Sequence, residues 1–460
     1  MKKRGQFPLP QELTESPRKQ NAKKKALKTS IAEGSAAAAS FGAGNSFITP
    51  FALAIGANPL QIGFLSSFSG LLSPIAQFFG ARSMEKNSRK TIVLRFVFLQ
   101  ALMWIPMAIL GLLYWKGIFQ THAVYALIGI YLLIVIFGGF AGPAWFSWMG
   151  DIVPPKEKGR YFAKRNRATG VTGLAVALIA AFLLDALRTK GLALLGFTIL
   201  FSLAFTFRFI SFIFFNKQYN PKFKLEKGYY FSIWAFLKKY DNFGKFAVYR
   251  AVFNFSLMIA SPFFAVYMLQ ELQFSYVTFI TVSASASVFY LLFTPLIGKF
   301  SDRYGNVKLF YLSNILFGIT PILWIFMKSP IVLIFIPQLI SGLANAAFMI
   351  PTTNFIYDAA SPQHRSLCST YKNILVGVGI FAGSLLGGFL ANRTLIPSVN
   401  PFFLVFGLSA ALRILSGAFF LPQLKEERRV KRLPPMEVNL AHPFKSLSSE
   451  VGWFKNILFR

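Results

Sequence analysis

The stretch Gly298-Lys-Phe-Ser-Asp302-Arg303-Tyr-Gly305-Asn-Val-Lys308 lies between two long apolar segments, at about 275–297 and 307–327. Each segment is long and apolar enough to cross a membrane as an α-helix. The stretch itself is short and polar and contains two glycines, which predicts a tight turn at a membrane surface. We expect Gly298 to let two helices approach and Gly305 to adopt a positive φ where the chain reverses.

Residues 81–90 form a weaker copy, with the sequence Ala-Arg-Ser-Met-Glu85-Lys86-Asn-Ser88-Arg89-Lys90. Glu85 occupies the position of Asp302, and Lys86 that of Arg303, so both copies offer a carboxylate beside a cation. Both copies resemble the cytoplasmic signature loop of the major facilitator superfamily, which joins helices 2–3 and 8–9. In resembling proteins this loop stabilises one access state and does not bind substrate. The resemblance therefore implies a conformational role for Glu85, Lys86, Arg89, Gly298, Asp302, Arg303 and Gly305.

The composition is that of a polytopic helical membrane protein. Of the 460 residues, 55% are hydrophobic and 17% aromatic, whereas only 14% are charged, and the charges fall mostly between apolar blocks. The expected fold class is all-α, with twelve transmembrane helices in two pseudo-symmetric six-helix bundles. The predicted spans are 30–55, 59–80, 91–114, 122–149, 166–187, 191–216, 245–270, 275–297, 307–327, 330–357, 370–391 and 401–422.

The formal net charge of +32 would by itself suggest a nucleic-acid partner. The distribution of the charges argues against one. Most Lys and Arg residues fall on one side of the predicted spans, whereas the loops of the other side carry only Lys116, Arg188, Lys190, Lys328 and Arg393. This imbalance predicts a cytoplasmic (inner) membrane, cytoplasmic termini and a basic surface that contacts anionic lipid headgroups.

A tandem repeat divides the chain into two halves. Asp151 matches Asp358 at an offset of 207, and Arg208 matches Arg413 at an offset of 205. Each copy holds six spans, so both copies have the same orientation, as the two halves of the resembling family do. The loop after helices 4 and 10 is similar to that of many uncharacterised bacterial and archaeal members. The predicted units are a basic tail at 1–29, bundles at 30–216 and 245–422, a cytoplasmic linker at 217–244 and a basic tail at 423–460.

The linker is rich in aromatic residues and lysines, which suits either a short helix in the membrane interface or a plain connection. Charged residues also lie within or near the spans. Asp151 and Asp358 end at the face nearest Arg208 and Arg413, so we predict a structural Asp–Arg pair within each half. Glu33, about one turn inside the cytoplasmic end of helix 1, is either a paired structural carboxylate or a proton or cation site.

Arg250 is the intramembrane charge that most favours substrate binding. Helices 1, 4, 7 and 10 line the cavity in the resembling family, and Arg250 lies on helix 7, one turn before Asn254. A cavity-facing Arg250 would select an anionic group, whereas a snorkelled Arg250 would touch no substrate. The candidate cavity residues are Asn45, Trp145, Arg250, Asn254, Asn345 and Asn354.

Motifs of enzymes and metal proteins are missing from the sequence. It has no phosphate-binding Gly-Lys-Ser/Thr loop and no paired catalytic carboxylates, and the single Cys368 and three scattered histidines offer no metal cluster. We predict no enzymatic activity, no cofactor, no metal and, from the resemblance, a monomer. The glycine and proline signature of drug/proton antiporters belongs on helix 5, which has no proline here.

These observations predict a secondary active or facilitative transporter of a small organic solute, anionic or amphipathic. The resemblance implies rocker-switch alternating access, and the few polar groups in the spans indicate the class of solute. Two alternatives stay open. The Phe-rich, acid-poor interior would suit a lipid or lysolipid flippase, and the basic tails would suit docking by a non-transporting membrane receptor or scaffold.

Overall fold

The computed structural model describes residues 17–154, 157–221, 240–359, 365–392 and 400–431. Most of the predicted linker and of the two predicted tails lies outside the described residues. Within the described ranges the chain forms twelve long helices, each of which overlaps one predicted span. The predicted all-α fold with two six-helix bundles is therefore confirmed.

We number the twelve helices in chain order. The N-terminal six are α1 (Pro17–Ala43), α2 (Pro59–Ser83), α3 (Arg89–Trp115), α4 (Ala123–Ile152), α5 (Lys158–Arg188) and α6 (Ala193–Lys217). The C-terminal six are α7 (Asn242–Glu271), α8 (Tyr276–Tyr304), α9 (Val307–Phe326), α10 (Pro330–Ala359), α11 (Arg365–Ala391) and α12 (Pro401–Phe420). We call the side that carries the α2–α3 and α8–α9 connections the inner side, following the charge prediction.

Eleven helices of the described chain are long and apolar enough to cross a membrane, and α1 is not among them. Its first turns are basic, and it stops at Ala43 before the apolar stretch is complete. The chain continues outward through a turn at Asn45–Phe47 and a short helix at Ile48–Ala54. The apolar part of the first span is thus divided between two helices, which explains why α1 is the exception.

Both halves pack in the same pattern. In the N-terminal half α1 packs against α5 and α6, α2 against α4, and α3 against α4 and α6. In the C-terminal half α7 packs against α11 and α12, α8 against α10, and α9 against α10 and α12. The contact pattern therefore repeats with the tandem repeat of the sequence.

The two halves meet mainly along α2 and α11, with a second contact between α5 and α8. A Cβ atom on Gly63 of α2 would lie only 3.0 Å from the Cα atom of Gly388 of α11. The Ser67 hydroxyl donates a hydrogen bond to the carbonyl of Phe381, at 2.9 Å. Small residues allow this close approach of helices from different halves.

The predicted turn at 298–308 is shorter than expected. α8 continues through Asp302 and Arg303 to Tyr304, and only Gly305 and Asn306 connect it to α9. Gly305 has a φ of 96°, as predicted for the point of chain reversal. The expectation for Gly298 is wrong, because it lies inside α8 and a Cβ there would meet no other helix within 4 Å among the described residues.

Candidate functional site

A segment after α12 lies across the inner side of the C-terminal half. We call residues 424–431 the strap. Its Glu426 Oε2 accepts hydrogen bonds from the backbone N–H groups of Asn306 and Val307, at 2.5 and 3.0 Å. These are donors at the start of α9, which have no partner within the helix. The strap therefore caps α9 directly after the turn at Gly305.

Further strap contacts reach α7, α8 and α10. The Nε atom of Arg428 lies 2.9 Å from Asp358 Oδ2, and its Nη1 atom lies 3.8 Å from Asp302 Oδ1. Asn242, at the start of α7, donates from Nδ2 to the carbonyl of Lys425, at 2.8 Å. Together with the cap on α9, the strap thus joins the inner ends of four helices. Hydropathy carries no signal for such a segment, and the sequence analysis assigned it only to a basic tail.

Glu426→Gln is expected to loosen the turn at Gly305. Gln keeps one acceptor oxygen but removes the negative charge near the positive end of the α9 dipole, which is worth about 0.3–1 kcal/mol at a partly exposed position. Hydrogen exchange of the peptide that contains Asn306 and Val307 should accelerate about two- to fivefold. The control Glu85→Gln removes an exposed carboxylate of the α2–α3 loop. Equal acceleration in both variants would show that Glu426 has no specific role.

Asp151 and Asp358 each pair with an arginine, but not with the predicted partners Arg208 and Arg413. Asp151 Oδ2 lies 2.8 Å from Arg89 Nη2, and Arg208 is not its partner. The reason is depth, because Arg208 lies nine residues, or about 14 Å, before the inner end of α6. Asp358, the counterpart of Asp151, accepts a hydrogen bond from Asn306 Nδ2 at 3.1 Å.

Arg413 is buried and donates to two backbone carbonyls instead of to Asp358. Its Nη1 atom lies 2.8 Å from the carbonyl oxygen of Phe317, and its Nη2 atom lies 3.1 Å from that of Leu257. The carbonyl of Phe317 lacks its usual helical donor because the residue four positions later is Pro321. That proline is the signal in the sequence that could have identified the acceptor.

Glu33 lies at the centre of a buried polar network in the N-terminal half. It is 2% exposed, and its Oε2 atom lies 3.2 Å from Arg165 Nη2. The Ser211 hydroxyl donates to Glu33 Oε1 at 3.0 Å and accepts from Arg208 Nη1 at 3.2 Å. Arg208 also donates from Nε to Gln100 Oε1, at 2.8 Å. Glu33 therefore interacts with Arg165 directly and with Arg208 through Ser211.

Arg250 is buried in the C-terminal half, at 7% exposure. Its guanidinium carbon lies 4.0 Å from the centre of the Phe348 ring of α10. The Nε and Nη1 atoms are buried and form no hydrogen bond within the described part of the chain. Asn254 Nδ2 donates to the backbone carbonyl of Arg250 at 2.7 Å, so its amide is tied to α7.

The other candidate cavity residues do not gather around Arg250. Trp145 lies in the N-terminal half, where the Arg165 guanidinium carbon is 4.6 Å from its ring. Asn354 Nδ2 donates to the Ser301 hydroxyl at 2.9 Å, which places it in the inner network around Asn306. Asn345 donates to a carbonyl of its own helix, and Asn45 lies in the turn after α1. Arg250 and Asn254 are therefore the two candidates that the structure brings together.

At the outer side, Asp185 of α5 joins the two halves. Its Oδ1 and Oδ2 atoms accept hydrogen bonds from the backbone N–H groups of Tyr276 and Val277, each at 2.9 Å. These residues form the first turn of α8. The guanidinium carbon of Arg188 lies 5.5 Å from the Tyr276 ring. The outer ends of α5 and α8 are thus held together by a carboxylate that the sequence analysis did not single out.

Comparison with known proteins agrees with this architecture. Residues 246–458 match the family model of the Major Facilitator Superfamily. Multidrug resistance protein 1 of Bacillus subtilis (strain 168) is 27% identical over 139 residues, which cover 30% of this chain and 34% of that protein. Tetracycline resistance protein, class B, of Escherichia coli is 26% identical over 150 residues, which cover 33% of this chain and 35% of that protein. The chain thus spans about a third of the length of these curated relatives.

Solved structures resemble the chain over most of its length. The nucleoside transporter NupG has a TM-score of 0.62 at 14% identity, over 87% of this chain and 98% of that one. A bacterial homolog to the human lysosomal transporter Spinster, in an inward-facing and unoccupied conformation, has a TM-score of 0.61 at 14% identity, over 89% of this chain and 99% of that one. At these identities the likeness concerns the fold alone, and it is the fold that the signature loop and the tandem repeat predict.

Proposed function

We propose that this chain, a member of the major facilitator superfamily, is a secondary or facilitative membrane transporter that moves a small organic anion by alternating access. The family match and the twelve-helix fold support transport. The inner membrane and cytoplasmic termini follow from the positive-inside distribution of Lys and Arg. We also propose that the protein works as a monomer, with its basic inner surface against anionic lipid headgroups.

The observation that supports an anionic solute is that two guanidinium nitrogens of Arg250 have no hydrogen-bond partner among the described residues. A buried arginine without an anion or carbonyl acceptor is destabilising, because its lost hydration is not replaced. Arg413, at a comparable depth, has two carbonyl partners, whereas two nitrogens of Arg250 have none among the described residues. The guanidinium carbon lies against the ring of Phe348, and a carboxylate or phosphate would supply the acceptor that the Nε and Nη1 atoms lack among the described residues.

Alternating access requires the two halves to separate on one side at a time. The bonds from Asp185 to the start of α8 hold the outer side closed. This supports a conformation closed to the outside, and the opposite state would need these bonds to break. Glu33 is engaged by Arg165 and Ser211, which supports its structural reading over a role in ion coupling.

The proposal is tested by the response of the purified protein to ligands. A thermal-shift screen would compare organic anions, organic cations, sugars, tetracycline and lysolipids, since a ligand stabilises the state that it binds. We expect stabilisation by organic anions and at least a tenfold loss of affinity in Arg250→Met, because a contact to a desolvated charge is removed. Arg82→Met, at the exposed inner end of α2, is the matched control. Ligands that stabilise the wild type should then be taken up by proteoliposomes.

Other outcomes favour the alternatives. Stabilisation only by lysolipids would support the flippase, and stabilisation only by tetracycline would support drug transport, since two relatives are named for drug resistance. An anion that binds equally well to Arg250→Met would contradict the role of Arg250. If no compound of the panel stabilises the protein and proteoliposomes take up none of these compounds, the receptor or scaffold alternative is favoured.

A further inference from the structure

A second buried cation lies near Arg250. Lys372 of α11 is 6% exposed, and α11 packs against α7, the helix that carries Arg250. Lys372 lies near the predicted inner end of its span, where a lysine is ordinarily explained by snorkelling, so its position in the sequence does not indicate a binding role. In the structure its side chain is buried instead, on a helix that packs directly against α7.

The packing of α7 and α11 places the two cations along one path. Gly379, Gly383 and Gly387 of α11 lie against carbonyl groups of α7, and Gly379 faces that of Ala251. The two helices run in the same direction, and Lys372 precedes Gly379 by seven residues. The backbone of Lys372 therefore lies about two turns nearer the inner side than that of Arg250. A lysine side chain can extend across much of this separation. Both charges therefore border the same region between α7 and α11, with Arg250 as the deeper one.

No carboxylate of the described residues forms an ion pair with either cation. The described ion pairs of the C-terminal half all involve Arg428 and lie at the inner surface. Two buried cations without an anion repel one another and lose their hydration. A bound group with two negative charges would remove both penalties at once, whereas a monoanion would leave one cation unpaired.

We propose that Arg250 and Lys372 together bind a dianionic solute, either a dicarboxylate or a phosphate monoester. This inference rests on the proposed function and narrows its substrate class. Arg250 contacts the deeper anionic group through the guanidinium nitrogens that have no acceptor among the described residues. Lys372 contacts the second negative charge of the solute, which lies nearer the inner side than the first. Lys372 therefore determines the preference for dianions over monoanions.

Isothermal titration calorimetry of the full-length protein in nanodiscs would measure this preference with matched probes. Succinate is compared with butyrate, and methyl phosphate with dimethyl phosphate, so that each dianion has a monoanion of similar size as its partner. We expect at least one dianion to bind tenfold or more tightly than its matched probe. Lys372→Met should weaken the dianion about tenfold and leave butyrate unchanged, while Lys372→Arg should retain most of the preference. Lys299→Met, an exposed lysine on α8, is the matched control.

The outcomes separate this inference from the proposed function. If anions bind and depend on Arg250, but neither dianion is preferred or Lys372→Met weakens butyrate and succinate equally, the role of Lys372 is wrong and the proposed function stands. If no organic anion binds to the wild type, both proposals fail. A preference in the succinate comparison identifies the solute as a dicarboxylate, and a preference in the phosphate comparison identifies it as a phosphate monoester. A folding defect of Lys372→Met is recognised by its size-exclusion profile, and the Lys372→Arg result then decides.

Discussion

Glu33→Gln is expected to lower the free energy of unfolding of the N-terminal half by about 3–5 kcal/mol, the usual effect of removing one partner from a buried ion pair. The substitution conserves size but removes the negative charge that faces Arg165 directly and Arg208 through Ser211. Two partly buried guanidinium groups would then share no carboxylate among the described residues. Thermal unfolding followed by tryptophan fluorescence should show a large decrease in Tm.

Glu85→Gln provides the control, since this carboxylate is exposed on the α2–α3 loop and should leave Tm nearly unchanged. The same pair of variants tests whether Glu33 couples transport to protons. A structural Glu33 predicts that correctly folded Glu33→Gln transports at a rate near that of the wild type, with an unchanged response to a pH gradient. Normal stability together with loss of the response to the gradient would instead make Glu33 a coupling site.

Helix number, orientation within the repeat and fold family could be predicted from the sequence, because each depends on local apolar length or on a recurring motif. The partners of buried charges could not. The depth of a residue along its helix follows from its number, but the neighbouring helix that its side chain faces does not. Asp151 and Arg208 were predicted to pair because both lie toward the inner side, yet Arg89 lies next to Asp151 and Arg208 lies deeper, near Glu33.

The candidate binding region shows the same limit. Arg250 and Asn254 are one turn apart on α7, so their spacing in the sequence predicts that they lie close together. Lys372 is 122 positions from Arg250 in the sequence, and only the packing of α7 against α11 brings it near. The strap was missed for a different reason, because residues 424–431 bind through backbone groups and charges and have no apolar periodicity.

Asp185→Ala is expected to shift the protein toward an outward-open conformation by at least about tenfold, since each hydrogen bond to a charged acceptor contributes about 1.5–3 kcal/mol and partial exposure reduces this. Asp185 satisfies two N–H groups at the start of α8 that have no helical partner, and its charge is favoured by the α8 dipole. In an outward-open state water would have to replace these bonds, so the carboxylate stabilises the closed state selectively.

The shift is measurable by pulsed electron paramagnetic resonance between spin labels on Gln120→Cys and Lys328→Cys, which lie on outer loops of different halves. Cys368 is the single native cysteine, so Cys368→Ser provides a clean background. Glu271→Ala is the matched control, because this outer carboxylate bonds to Asn400 within its own half, at 3.0 Å.

We expect longer distances between the two spin labels for Asp185→Ala alone. Unchanged distances, or the same change in both variants, would mean that the bonds between α5 and α8 do not hold the outer side closed. The contact left to control the proposed alternating access would then be that between α2 and α11, where the halves are joined through small residues and the bond from Ser67 to Phe381.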